Sequence, residues 1–172
     1  MKKSTKQTTE KVEIKNSNPP DKEATNTDSP ELANAKESLS KLPILGPALW
    51  LYARDPLRKF TFMADIDWLL LPPVVLDQCR LYTKNEIPFA FFTWAKVSAE
   101  VDQRLRSGMQ RIAPHEWQSG EHIWLIDIVT PFGQLEEMIA DLHKTQFPGL
   151  SISALIPDSQ QANQVKLREW TA

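Results

Sequence analysis

The sequence predicts one domain of the α/β or α+β class, in which helices pack on a sheet of five or six strands. Three observations favour this fold. The chain has 172 residues, which is the usual length of a single domain. Strand-like and helix-like hydrophobic patterns are interleaved along it. The 7 Phe, 6 Trp and 2 Tyr all lie at or after Trp50, so the residues that build a core occupy the later part of the chain.

Residues 1–40 differ in composition from the rest and predict a disordered N-terminal tail. Seven lysines accompany seven acidic residues there, and large apolar residues are few. Such a segment cannot bury enough apolar surface to offset about 1–2 kcal/mol of backbone entropy per ordered residue. A transient helix can start at Pro30, because proline suits the first helical position after Ser29. The predicted domain therefore spans residues 41–172.

Apolar residues at helical spacing predict a short helix that ends near Ala53. They are Ile44, Leu45, Ala48, Leu49 and Tyr52. Residues 60–66 fit no pattern, and residues 69–76 fit a loop that enters a short helix or a strand. Two strands over residues 80–84 and 87–93 are joined by a polar turn, and the second is rich in aromatic residues.

The second half of the domain begins with a helix that Ser98 can cap, with Val101 and Leu105 on its apolar face. Residues 123–129 form the most strand-like run in the chain. The other predicted elements are a loop over residues 114–120, a turn over 130–133, an amphipathic helix that starts at 135 and is closed by 147–149, and strands over 152–156 and 165–170.

Charge and cysteine content exclude several classes of protein. A net charge of −2 is too small for a protein that binds nucleic acid through phosphate contacts. A single cysteine, Cys79, excludes an internal disulfide, and no histidines occur at metal-ligand spacing, so we expect no metal site. Cys79 lies beside Arg80, which can lower a thiol pKa, but a buried structural cysteine is the favoured interpretation.

The chain shows no signal for export or membrane insertion. Its longest uncharged apolar stretch covers residues 68–76, far short of the roughly 20 residues of a membrane span. The lysine-rich start is not followed by the apolar run of a secretory signal. We therefore expect a cytoplasmic protein.

Asp127 is the first candidate for chemistry, because it is a lone carboxylate inside an apolar strand. Strict alternation places it on the face of Leu125 and Val129, opposite Trp124. A buried carboxylate costs several kcal/mol unless it is paired or hydrogen-bonded. The residues alone favour a structural ion pair or a capped loop, and the alternative is a base or an orienting group with a shifted pKa.

Other chemical candidates in the sequence are weaker. No glycine-rich phosphate loop and no serine nucleophile motif occurs. His115 and His122 lie in a polar loop, and His143 lies in the last turn of a helix, where a cation suits the helix dipole. Most tryptophans belong to the core, although Trp94 and Trp117 could line a pocket for an apolar substrate.

Three segments in a fixed order resemble the RTX toxin-activating lysine-acyltransferases, the family of the haemolysin-activating protein. They are P-x-A-x-x-x-W-A over residues 88–95, W-x-S-G over 117–120 and W-x-I-D-x-I/V-x-P-F-G over 124–133. The start of the domain, with Leu49-Trp50-Leu51-Tyr52 and Asp55-Pro56-Leu57, also resembles the family's opening helix. The resemblance covers about residues 45–170.

This resemblance implies a fold similar to the GNAT acetyltransferases, with a central mixed sheet flanked by helices. It implies a cytoplasmic enzyme that transfers a fatty acyl group to internal lysines of an RTX protoxin. The implied donor is acyl-acyl carrier protein, and no bound cofactor is expected. The implied partners are the protoxin and the acyl carrier protein, and family members can also pair as homodimers.

The resemblance also assigns site residues. The family uses a histidine and an aspartate, and Asp127 matches the aspartate. The family's S-P-L-H motif reads Asp55-Pro56-Leu57-Arg58 here, so Arg58 stands at the histidine position and Asp55 at the serine position. An arginine cannot act as a general base at neutral pH. The candidates for substrate or carrier binding are Asp55, Trp94, Trp117, Ser119 and Gly120.

Three interpretations follow from the arginine. In the first, the protein is an active acyltransferase in which Asp127 deprotonates the target lysine and Arg58 polarises the thioester or binds the carrier. In the second, it is an inactive member that binds a protoxin, an adhesin or an acyl carrier protein. In the third, one of the three histidines folds back into the site.

Overall fold

The computed structural model describes residues 30–158 and 164–171, and within them five strands form one mixed sheet. In sheet order the strands are β1 (Cys79–Lys84), β2 (Ile87–Val97), β3 (His122–Val129), β4 (Ile152–Pro157) and β5 (Val165–Trp170). The helices are α1 (Pro30–Lys41), α2 (Leu45–Tyr52), α3 (Ile66–Leu69), α4 (Leu71–Val75), α5 (Ala99–Arg106) and α6 (Leu135–Gln146). The predicted mixed α/β sheet is confirmed.

The connections between strands explain the sheet order. β1, β2 and β3 are successive antiparallel neighbours, and β1 joins β2 through the two-residue turn Asn85-Glu86, both with positive φ. β3 and β4 are parallel, so the chain needs a crossover between them, and α6 supplies it. β5 then returns antiparallel to β4.

Apolar clusters on both faces of the sheet produce three layers. On one face Phe92 and Leu125 pack against α6 through Leu142. On the opposite face Phe91 and Val129 pack against α2 and α4. α5 covers a further part of that second face. Helices therefore cover both faces of the central strands β2 and β3, as burial of their nearly continuous apolar runs requires, while the edge strand β5 stays largely exposed.

Most of the predicted elements occur where the sequence places them. The Ser98 hydroxyl accepts a hydrogen bond from the Val101 amide and caps α5 as expected. Residues 71–75, which fitted a helix or a strand, form the helix α4. Within the described ranges, no helix is long and apolar enough to cross a bilayer.

Helix α1 occupies the end of the segment that we expected to be a disordered tail. It starts at Pro30, as the sequence allows, and buries none of its residues. The Lys41 ammonium at its end donates hydrogen bonds to the Asp77 carboxylate and the Val75 carbonyl. The tail prediction for residues 1–29 lies outside the described residues.

The strict alternation expected for β3 is wrong at one point, and this changes the surroundings of Asp127. Thr93 of β2 pairs with Asp127, but the next residue, Trp94, pairs with Leu125, so Ile126 is an extra residue in β3. A bulge of this kind shifts all later side chains by one position. Asp127 consequently shares its face with Val129 and Trp124 rather than with Leu125, and it points toward α2.

Candidate active site

The Asp127 side chain is enclosed by hydrogen-bond donors. Its carboxylate is fully buried. One oxygen, Oδ1, accepts hydrogen bonds from Arg58 Nε at 2.6 Å and from the Ile128 amide at 3.0 Å, and Oδ2 accepts one from the Tyr52 hydroxyl. The backbone amide of Asp127, freed from the ladder by the bulge, donates to the Thr93 hydroxyl at 3.1 Å. A buried carboxylate with this many donors is held in one orientation.

Arg58 reaches this carboxylate from a short 3-10 turn, Arg58–Phe60, that follows α2. Asp55 holds the turn, because its Oδ1 accepts hydrogen bonds from the amides of Leu57 and Arg58 at 2.9 and 3.0 Å. Only Nε of the guanidinium is used by Asp127. Within the described residues its two Nη groups have no hydrogen bond, and the side chain, one-third exposed, lines a cavity. Arg58 therefore lies at the edge of that cavity with two Nη groups that make no hydrogen bond to the described residues.

Tyr52 also belongs to this site, although its helical spacing in the sequence indicates only a core residue. It is the last residue of α2 and is 3% exposed, and its hydroxyl points at Asp127. A signal existed, because a tyrosine hydroxyl on the buried face of a helix needs a partner, as does a lone carboxylate in an apolar strand. Matching those two needs would have paired Tyr52 with Asp127.

Burial and charge act in opposite directions on the pKa values of the three groups. Burial raises the pKa of Asp127 above its ordinary value, although Arg58 and Tyr52 oppose the shift. Burial and the neighbouring carboxylate both raise the pKa of Tyr52, so its hydroxyl keeps its proton. Burial alone would lower the pKa of Arg58, but Asp127 raises it on balance, so Arg58 stays cationic at neutral pH.

The cavity beside Arg58 opens where two parallel strands separate. β3 and β4 are paired only over Ile123–Leu125 and Ile152–Ala154, and beyond these residues the ladder ends. A space of about 660 Å³ lies there, within the range of small-molecule binding pockets. The described residues around it include Asp55, Leu57, Arg58, Leu105, Trp124, Leu125, Ile126, Leu155 and Ile156. The charged cluster thus adjoins a cavity that is lined by both apolar and polar side chains.

Comparison with known proteins assigns the chain to a family. Residues 37–171 match the RTX toxin acyltransferase family, HlyC. The chain belongs to this family. Membership groups the protein with lysine acyltransferases that activate RTX toxins, and the family resemblance seen in the sequence motifs is confirmed.

Individual members of the family are distant in sequence. The leukotoxin-activating lysine-acyltransferase LktC of Pasteurella haemolytica-like sp. (strain 5943B) is 26% identical over 71% of this chain and 74% of its own length. The lysine-acyltransferase RtxC of Vibrio cholerae is 33% identical over 60% of this chain and 69% of its own length. The protein-lysine myristoyltransferase HlyC of Escherichia coli is 32% identical over 54% of each chain.

The shared W-x-S-G motif of this HlyC family member lies in a loop that braces the fold, apart from the residues that line the cavity. The Ser119 hydroxyl accepts from the Ser98 amide and donates to the Glu116 carbonyl. Trp117 is fully buried in the α5 cluster. Trp94, from the neighbouring motif, is equally buried and packs edge-on against Phe147. The cavity expected beside the two tryptophans is therefore lined by other residues.

Gly120 is needed in this loop because its backbone runs against β2. A Cβ atom there would lie 2.5 Å from the Val97 carbonyl oxygen and 2.7 Å from Ser98 Cα. We expect Gly120→Ala to lower the free energy of unfolding by about 1–3 kcal/mol, since backbone atoms must shift. Urea denaturation followed by circular dichroism measures this change.

The matched control for Gly120 is Gly46 in α2, where an added Cβ meets no atom within 4 Å. Gly46→Ala should change the free energy of unfolding by less than about 1 kcal/mol, because the backbone entropy that alanine saves is opposed by Pro47, whose ring disfavours helical backbone at a preceding residue with a Cβ. Equal stability of the two variants would contradict the close packing of the loop on β2.

The histidines of this family member lie away from Asp127. His115 is in a 3-10 turn, His122 starts β3 five residues before Asp127, and the His143 ring bonds the Leu150 carbonyl. Five strand residues span about 16 Å. Cys79 is half-buried beside the α2 cluster rather than fully buried, and burial raises the pKa of its thiol to about 11. The third interpretation, a histidine folded back into the site, has no support among the described contacts of Asp127.

Proposed function

We propose that the protein transfers a fatty acyl group from acyl-acyl carrier protein to internal lysine side chains of an RTX protoxin in the cytoplasm. Family membership supports the reaction class and the toxin substrate. The myristoyltransferase among its relatives supports a fatty acyl donor. The observation that carries the proposal for this chain is the Arg58 guanidinium: buried Asp127 anchors its Nε, and the side chain lines the cavity with both Nη groups unused by Asp127.

A fold of the GNAT type is part of the same proposal. Its support is the separation of the parallel strands β3 and β4 directly beside the charged cluster. Ligands of open α/β sheets bind in crevices of this kind. The donor would enter the crevice with its thioester near Arg58.

Arg58 would stabilise the charge that develops when the thioester is attacked. The lysine nitrogen forms a bond to the acyl carbon, and the carbonyl oxygen becomes an oxyanion. The carbon–sulfur bond then breaks, the carrier's thiolate leaves, and the amine's proton passes to solvent. Two rigid donors at an oxyanion act most strongly when they are positioned in advance. Asp127 supplies that positioning, because it fixes Nε and leaves both Nη groups available.

Asp127 would act as an anchor in this scheme rather than as the base of the first interpretation. Its side chain is fully buried, and both oxygens already accept hydrogen bonds. A lysine ammonium cannot reach it without displacing Arg58 or Tyr52. The cationic Arg58 instead favours the neutral form of a nearby lysine by lowering that lysine's pKa, so the lysine loses its proton to solvent before the attack.

Acyl transfer to a protoxin is the direct test. The purified protein is mixed with myristoyl-acyl carrier protein and an RTX protoxin, and acyl-lysine is sought by mass spectrometry. We expect acylated internal lysines that are absent when the protein is omitted. Carrier or protoxin binding without any acyl-lysine would overturn the proposal and favour the inactive binding protein of the second interpretation.

Replacement of Tyr52 by phenylalanine tests the anchor through the pH dependence of the reaction. The hydrogen bond from Tyr52 lowers the pKa of Asp127, so its loss raises that pKa further. In this variant Asp127 becomes protonated at a higher pH, and it then releases Arg58. We expect the acid-side fall in the acyl-transfer rate of Tyr52→Phe to begin at a higher pH than in the unaltered protein.

The control for Tyr52 is Tyr82→Phe, since Tyr82 bonds Asp141 on α6, away from Arg58. This variant should keep the pH–rate profile of the unaltered protein. Identical profiles for Tyr52→Phe and the unaltered protein would show that the Tyr52 hydroxyl does not position the site.

A further inference from the structure

The cavity between β3 and β4 has a polar mouth and an apolar floor. The polar residues that line it are exposed or half-buried, which places them on its solvent side: Asp55, Arg58, Gln110, Thr130, Asp158 and Gln164. The exposed apolar residues Leu57, Pro157 and Val165 lie on the same side. The most deeply buried lining residues are Leu105, Trp124 and Leu125, which are 1–3% exposed. A ligand that fits this gradient has one polar end and one apolar end.

The floor offers no polar side-chain group for a ligand to bind. Leu105 comes from α5, while Trp124 and Leu125 are the last residues of β3 before the strands separate. The indole N–H of Trp124 donates to Asp102 Oδ1 at 2.8 Å, so it is already satisfied. The side chains of this floor offer water no hydrogen-bond partner, whereas an alkyl chain needs none.

We propose that this floor binds the far end of the fatty acyl chain and limits the chain length that the protein transfers. The inference rests on the proposed function, because the thioester must lie at Arg58 for the chain to extend inward. The reacting end then lies at the polar mouth, and the methyl end lies against Leu105 and Trp124. A cavity of about 660 Å³ accommodates a small molecule of this class.

Burial of the acyl chain sets how strongly binding is expected to depend on chain length. Each methylene moved from water into an apolar site strengthens binding by about fourfold. Chains too short to reach the floor lose this factor for every missing carbon. Chains too long to fit must leave carbons in water or distort the cavity, so discrimination falls off on both sides of an optimum.

A rival apolar surface lies close by and must be distinguished. Phe60, Phe62 and Met63 follow the Arg58 turn, and they are 71–79% exposed. They are absent from the lining of the cavity. An acyl chain could lie across these side chains instead of entering the sheet, and the two arrangements place its methyl end against different residues.

Photo-crosslinking locates the methyl end. The donor is a fourteen-carbon acyl-acyl carrier protein with a diazirine at the end of the chain, and labelled peptides are identified by mass spectrometry. We expect labels on Leu105, Trp124 or Leu125. A control donor with the diazirine next to the carbonyl should label the mouth, at Leu57 or Arg58. The same samples are assayed for acyl-lysine on the protoxin.

The outcomes separate this inference from the proposed function. Labels at Phe60–Met63, or no label on the floor while acyl-lysine forms, would overturn the acyl-chain site and leave the acyltransferase function intact. Absence of acyl-lysine with unmodified donors would overturn the proposed function, and the inference with it.

Filling the cavity gives a second, independent readout. Leu155 is half-buried and lines the cavity, so Leu155→Trp should shorten the accessible space. We expect the ratio of kcat/KM for hexadecanoyl over decanoyl donors to fall at least tenfold. Leu81→Trp is the matched control, because Leu81 is a half-buried strand residue that packs with the α2 cluster instead. An unchanged ratio in folded Leu155→Trp would overturn the inference.

A smaller side chain at position 155 gives a second test, which does not require a tryptophan to fit into the fold. Leu155→Ala should raise the same ratio, and circular dichroism verifies that each variant is folded. A small side chain at a half-buried position costs less stability than it does in the closed core. If Leu155→Ala left chain-length preference unchanged, the cavity would not be the acyl-chain site.

Discussion

Replacement of Arg58 by methionine reduces acyl transfer by about 10²–10³-fold, the loss seen when one preorganised oxyanion donor is removed. Methionine keeps the apolar stem of the side chain but lacks the charge, the Nε donor to Asp127 and both Nη donors. The donors act on charge that exists only in the transition state, so the loss should fall on kcat more than on KM. Steady-state kinetics with varied acyl-carrier concentration measures both constants.

The control for this substitution is Arg54→Met. Arg54 lies four residues before Arg58, but its guanidinium stacks 3.5 Å above the Trp50 ring and donates a hydrogen bond to the Trp50 carbonyl. This variant should keep nearly full activity. A loss confined to KM in Arg58→Met would instead indicate that Arg58 binds the carrier, and full activity would contradict any catalytic part for it.

Two further replacements separate charge from geometry at Arg58. Lysine keeps the positive charge but lacks the planar guanidinium with its paired N–H donors. The acyl-transfer rate of Arg58→Lys should therefore lie between those of Arg58→Met and the unaltered protein. Histidine is the residue that the sequence resemblance implies at this position. We expect Arg58→His to be less active than the unaltered protein, because Asp127 and Tyr52 are arranged around a guanidinium. A large gain of activity would contradict that arrangement.

Local sequence signals predicted much of this fold because each was carried by neighbouring residues. The aromatic run of β2, the Ser98 cap of α5 and the helical spacing of α6 depend on interactions within a few positions. The same is true of Asp127, whose isolation in an apolar strand marks it without any knowledge of its partners. The family motifs then favoured a functional part for it.

The missed features depend on contacts between distant parts of the chain. The bulge at Ile126 is invisible in the sequence, since isoleucine fits a regular strand as well as a bulged one. The bond between Tyr52 and Asp127 joins residues 75 positions apart. The cavity exists because β3 and β4 separate after three paired residues, a feature that leaves no periodic pattern in the sequence.

Trp94 and Trp117 are candidates for a pocket in the sequence, but buried aromatic side chains also build cores, and here they do.

Replacement of Asp127 by asparagine should also reduce acyl transfer by about 10²-fold or more, but with a smaller effect on stability than Arg58→Met. Asparagine keeps the shape of the side chain and one oxygen for the Ile128 amide, but it lacks the charge that fixes Arg58. A guanidinium displaced by about 1 Å loses its alignment with the oxyanion, which costs about 10²-fold. Arg58 remains one-third exposed, so water can solvate it.

Asp127 is more deeply buried than Arg58, and this difference decides which of the two variants is the less stable protein. Removal of Arg58 leaves a fully buried carboxylate without its cation, which costs about 3–5 kcal/mol. Removal of the charge from Asp127 leaves no buried ion and costs about 1–2 kcal/mol. Urea denaturation of the two variants should therefore rank Arg58→Met as the less stable protein. The reverse order would contradict the burial of Asp127.

The double variant Arg58→Met, Asp127→Asn separates the pair interaction from the individual losses. It should be more stable than the sum of the single losses predicts, by about 1–3 kcal/mol, because the unpaired buried charge is gone.

The stability loss of Arg58→Met should depend on pH with a defined sign. In Arg58→Met the raised pKa of Asp127 makes the penalty greatest above that pKa, and the penalty disappears as the pH falls through it and the carboxyl becomes neutral. Additive losses that do not change with pH would show that Arg58 and Asp127 are not an ion pair in solution.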